Sequence, residues 1–249
     1  MTKISATLPL DVVKGSVKQR YAKIKLANKI LFDKIMQSPE DLSLKKAGEL
    51  LSETFVPDTG HRLNVQVKAL DVADATGATQ TSFVNGKPVG YTVMVHAKAD
   101  GTISKAEIPN LMHEATHVHQ LVFEPKIMAR ISSLDLSPKE EKRVATFFHN
   151  VLNTNNLLGF FNEPSAAIRM KLALRGLDDT EKLNVMDLMK NHLKMERLAH
   201  LEGERYAYKA AASGVTPNEV CPVDDFLFED KIDFIEKEIA KHIKKMRKK

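Results

Sequence analysis

The chain has 249 residues, 43% hydrophobic and 28% charged, with no tryptophan, one cysteine and a formal net charge of +5. That length favours one domain with two lobes over two full domains, and it allows a sizeable core. The lone cysteine, Cys221, excludes an internal disulfide and any cysteine cage for zinc, so metal ligands have to be histidine and carboxylate.

Residues 1–14 contain no apolar run of signal-peptide length, and nowhere do 18 apolar residues follow one another. Neither a membrane span nor Sec-type export is expected, which leaves a cytoplasmic location or delivery as an effector or toxin by a dedicated secretion machine. Basic residues crowd the end of the chain, at Lys241, Lys244, Lys245, Arg247, Lys248 and Lys249. We read them as a solvated helix end. With no second dense basic cluster, nucleic acid is not an expected partner.

From Asp11 to about Gln37, Val17, Ile24, Leu26, Ile30, Leu31 and Ile35 recur at helical spacing, and Ser38-Pro39-Glu40 ends this run. Between Leu63 and Val95 the period changes to two. Leu63, Val65 and Val67 alternate with polar residues, and Asn85-Gly86 with Pro88 and Gly90 supplies a turn between Thr81–Val84 and Tyr91–Val95. A small, mostly antiparallel sheet is predicted. After Ala99-Asp100-Gly101 the helical period returns and lasts to the end of the chain. Ser137-Pro138-Lys139-Glu140 is a capping box with proline at the first helical position, and Asp178 or Asp179 can cap a long helix reaching Ser213-Gly214. The fold class is therefore α+β, with a lobe over 1–124 that holds the sheet and a helical lobe over 125–249.

His113-Glu114-Ala115-Thr116-His117 carries the chemistry. Two histidines four residues apart on a helix lie on one face, where their imidazoles converge on one ion. Zinc takes nitrogen ligands in a tetrahedral arrangement and in catalytic sites keeps one position for water. Glu114, beside the pair, can take a proton from that water once the metal has lowered its pKa toward about 7. At 100° per residue Ile108, Leu111, Met112, Ala115, Val118 and Val122 form an apolar stripe, with His113 and His117 opposite and Glu114 and Gln120 flanking. His119 falls on the apolar side and reads as a half-buried structural histidine.

This segment, preceded by a short strand and followed by helices, resembles the zincin metallopeptidases, in particular the gluzincin type. The resemblance implies a zincin-like fold, a zinc ion, hydrolysis of a protein or peptide substrate, and a third ligand from a later helix. It also implies that the strand before the active helix is a sheet edge on which substrate lies, here Tyr91, Val93 and Val95. The third ligand in that group is often a glutamate with alanine three residues later. Glu163 heads the candidates, sharing a stripe with Ala166, Ala167, Met170 and Leu174; helix capping competes for it. Glu204, Glu202 and Glu196 are the alternates. For the donor that stabilises the oxyanion, Tyr206 is the candidate, with Tyr208, Arg205 and His200 behind it. A binding or structural protein on the same scaffold, and a hydrolase of non-peptide amides or esters, share these residues and stay open.

Overall fold

A computed structural model describes residues 16–38, 40–54, 63–71, 76–84, 87–123, 134, 136–153, 163–218 and 225–248. Its chain divides into two compact units, the first comprising residues 1–125 and 198–223, the second 126–197 and 224–249.

In the first unit helix α1 (Val17–Met36) starts at Ser16, whose hydroxyl accepts from Gln19 N while the Gln19 side chain reaches back, a complete capping box. Short strand β1 (Leu42–Ser43) leads into α2 (Leu44–Glu53). Three strands follow, β2 (Val65–Ala69), β3 (Gly77–Val84) and β4 (Lys87–Val95). Strand β5 (Thr102–Ile103) pairs with β1, and a single 3-10 turn over Lys105–Glu107 enters α3 (Ile108–Phe123). Helix α3 packs on α1 and on β3 and β4, and Val93, Val95, Met112, Ala115, Val118 and Val122 are fully buried there.

The sheet order is β2-β4-β3, with β2 parallel and β3 antiparallel to β4. Tyr91 pairs with Val65 on one side and Thr81 on the other. This corrects the expectation that Tyr91, Val93 and Val95 form a free edge. They occupy the central strand, whose backbone groups are used on both sides, and burial pushes the Tyr91 phenol up to about 12. The hairpin β3–β4 and the alternation of Val65 and Val67 agree with the sequence reading; the parallel pairing of β2, made across non-local segments, was outside it.

In the second unit α4 (Pro138–Asn153) begins at the predicted Ser137–Glu140 box, and Arg143 Nε donates to Ala173 O (2.8 Å) to close the end of α5 (Glu163–Ala173). Helix α6 (Asp179–Ala212) has 34 residues and is capped by Asp178, which accepts from Thr180 N and Glu181 N. At 1.5 Å per residue it is about 50 Å long. The division between units falls inside it, after Arg197, whereas the sequence reading assigned everything beyond residue 124 to one lobe. Helix α7 (Asp225–Met246) completes this unit, and no helix among the described residues is long and apolar enough to cross a membrane.

Candidate metal centre

Helix α3 presents His113 and His117 with their Nε2 atoms 3.2 Å apart and their rings edge to face. Two nitrogens bound tetrahedrally at about 2.0–2.1 Å from one zinc would be about 3.3 Å apart, so the pair already stands at ligand spacing. His117 Nδ1 lies 3.0 Å from Gln120 Oε1. With the carboxamide oxygen as acceptor, Nδ1 carries the proton and Nε2 presents a lone pair, the tautomer a metal requires.

Glu114 is held from the sheet. Its Oε2 accepts from Thr79 Oγ1 at 2.7 Å, and its side chain, 7% exposed, lies so close to β3 that a Cβ at Gly77 would come within 2.6 Å of Cγ and Oε1. Only glycine leaves that room. The second carboxylate oxygen, Oε1, is 3.9 Å from His113 Nε2. One oxygen is thus anchored by Thr79 while the other faces His113 Nε2.

Helix α6 supplies the rest. His200 stacks edge to face on His113 with ring centroids 4.4 Å apart, and Glu196 sits one turn before it on the same continuous helix. The ligand atoms of His113, Glu196 and His200 lie within 4.8 Å of one another, a group able to bind a metal ion. The close approach has its cause at Gly203, where a Cβ would stand 3.2 Å from Pro109 O and 3.4 Å from His113 Cβ. The donors are imidazole nitrogens and a carboxylate oxygen, a set that suits zinc.

Among the candidate glutamates, Glu196 is the one brought to His113 and His200, a group that does not include His117, and Ala199, three residues on, is fully buried as close helix packing demands. Glu163 begins α5, and its side chain lies outside the described residues. Glu202 is turned elsewhere: it is 3% exposed and accepts from Asn28 Nδ2 (3.0 Å) and Arg205 Nη1 (3.2 Å). Glu204 makes no hydrogen bond or ion pair among the described residues. His200 enters as a possible ligand, a role the sequence reading did not give it. The available signal was Glu196 and His200 at the same four-residue interval as His113 and His117.

Tyr206 is corrected from oxyanion donor to core residue. It is 0% exposed, its ring lies 4.7 Å from that of Phe32, and Lys209 Nζ sits 4.8 Å from the ring centroid. Six residues past His200, it points about 120° away around the helix. Burial pushes its phenol pKa up, and its hydroxyl has no hydrogen-bond partner among the described residues.

Behind the ligand face lies a network centred on Asn28 of α1, which is fully buried. Its Nδ2 donates to Thr116 Oγ1 and Glu202 Oε2, both at 3.0 Å, and its Oδ1 accepts from His119 Nδ1. Asn28 thereby ties α3 to α6. Burial lowers the His119 pKa to about 3, so the ring is neutral, deeper in the core than the half-buried position predicted for it. No family model matches the chain, and no curated protein or solved structure matches it either.

Proposed function

We propose that this protein is a zinc-dependent peptidase of the zincin type, with His113, His117 and Glu196 as ligands and Glu114 as general base. The observation that supports this most is the placing of a carboxylate and a third imidazole from α6 beside His113 of the HExxH helix. Zinc held there would supply Lewis acidity to the scissile carbonyl and acidify a water. Glu114 Oε1 takes the proton of that water as its oxygen adds to the carbonyl carbon, and delivers it to the amine nitrogen as the C–N bond breaks. Thr79 keeps the carboxylate aimed through both states. The substrate strand moves from β4 to β3, which has a strand on one side only among the described residues and whose Gly77 and Thr79 touch Glu114. An extended peptide added there gains backbone hydrogen bonds.

Zinc titration of the purified protein and cleavage of a peptide library test the reading. One zinc per chain is expected, with cleavage that falls about 1000-fold in Glu114→Gln while the zinc is retained. Zinc uptake near zero, or undiminished cleavage by that variant, overturns it. Hydrolysis of simple amides and esters but of no peptide would reassign the substrate.

A second reading rests on His200. As a fourth protein ligand it would close the coordination shell and make the metal structural. His200→Ala separates the two: a collapse of zinc affinity favours the closed site, and retained zinc with slower turnover favours a donor to the substrate.

A further inference from the structure

In the second unit, residues of α5, α6 and α7 line a cavity of about 690 Å³. Its rim carries Lys171, Arg175, Lys182, Lys241 and Lys245. Lys171 with Arg175, and Lys241 with Lys245, are like charges one turn apart, an arrangement that repels itself. Counter-charge is scarce. Glu238, the one carboxylate in the lining, pairs with Lys241 at 2.5 Å, and Lys182 stands 4.0 Å from Asp179. Lys171, Arg175 and Lys245 make no ion pair among the described residues. Cations around a concave, low-dielectric wall focus a positive potential inward.

The size lies within the range of small-molecule sites, about 300–1,000 Å³, and exceeds what one inorganic phosphate needs. Met170, Leu174 and Met186 form an apolar floor, which suits a carbon skeleton between charged groups. No Phe, Tyr or Trp lines the cavity, and its one aromatic ring, His242, is engaged with Asp179, so the lining favours phosphate groups over a stacked nucleobase. We propose that it binds a polyol carrying at least two phosphate groups, one held by Lys171 and the Arg175 fork, another by Lys241 and Lys245. Such a group can belong to a soluble sugar or inositol phosphate or to a lipid headgroup. The basic end of α7 is then one wall of a ligand site.

Calorimetric titration of the full chain with inositol hexakisphosphate at 0.15 M salt tests this. Micromolar binding is expected, weakened at least tenfold in Lys171→Glu/Lys245→Glu and by a smaller factor in Lys171→Gln/Lys245→Gln. Lys244→Glu/Lys248→Glu, an equal charge change at exposed positions outside the cavity, should alter it less than threefold. Sedimentation with phosphatidylcholine vesicles containing a phosphoinositide assigns the source: tighter binding there with the same sensitivity to the variants supports the proposal with a lipid headgroup as ligand, and weaker binding supports it with a soluble one. Absence of binding to both probes, equal losses in cavity and control variants, or tighter binding to a single-stranded DNA oligonucleotide would overturn it.

Discussion

Two histidines two residues apart on α3 have opposite surroundings. His117 gives Nδ1 to Gln120 and sets Nε2 3.2 Å from a second imidazole, while His119 gives Nδ1 to Asn28 within the core and is held neutral, its pKa lowered to about 3. Both are buried. Burial therefore does not separate the proposed ligand His117 from the structural His119; the difference lies in whether the other ring nitrogen meets a further imidazole. The two residues stand about 200° apart around the helix, so one ring meets His113 and the other points toward α1, and each face has its own amide, Gln120 or Asn28, to fix the tautomer.

Breaking the core face should have the largest effect. Asn28→Leu keeps the approximate volume but removes the partner of His119 and one of the partners of Glu202, a buried carboxylate. Weakening the satisfaction of a buried carboxylate that keeps only Arg205, together with losing the bonds to Thr116 and His119, is costly, and a loss of about 3 kcal/mol in unfolding free energy is expected from urea denaturation. A loss under about 1 kcal/mol would mean that water replaces the amide and that the network does not bind α1 to α6.

Breaking the ligand face should do the converse. Gln120→Leu removes the acceptor of His117 Nδ1 and frees the ring to take the wrong tautomer. Partners of this kind are worth about 10–100-fold in metal affinity, so zinc competition against a chromophoric chelator should report a loss in that range, or about 2 kcal/mol. Urea stability of the metal-free protein should change by less. Equal zinc affinity in variant and parent would show that Gln120 does not orient the ligand.

The two faces also differed in how far the sequence disclosed them. His113, Glu114 and His117 were legible because a helix turns a four-residue interval into a shared face, and caps at Ser137 and Asp178 were legible because they act within three residues. Asn28 was not, since its partner Thr116 is 88 residues away and an asparagine in a helix has no pattern that announces a core role. The choice of Glu196 among several Glu-x-x-Ala segments depended on where α6 meets α3, which Gly203 decides through a backbone approach. The place of Tyr91, Val93 and Val95 in the middle of the sheet depended on parallel pairing with β2, and no local turn specifies such a pairing.

The smallest expected effect concerns acid. In the folded state His119 stays neutral down to about pH 3, whereas in the unfolded chain it takes up a proton near its ordinary value of 6.5. Between those values the unfolded state binds the extra proton, so stability is intact above pH 6.5 and falls as the pH drops toward the folded value. The slope from this one group is about 1 kcal/mol per pH unit. The measurement is a difference, taken on metal-free protein, between the parent and His119→Gln. Glutamine keeps an amide donor for Asn28 and does not titrate. The variant should be the less stable at pH 8, through imperfect packing, and the gap should close by about 1 kcal/mol for each unit below pH 6.5. A gap independent of pH would mean that His119 is protonated in the fold, and the contrast with His117 would then rest on geometry alone.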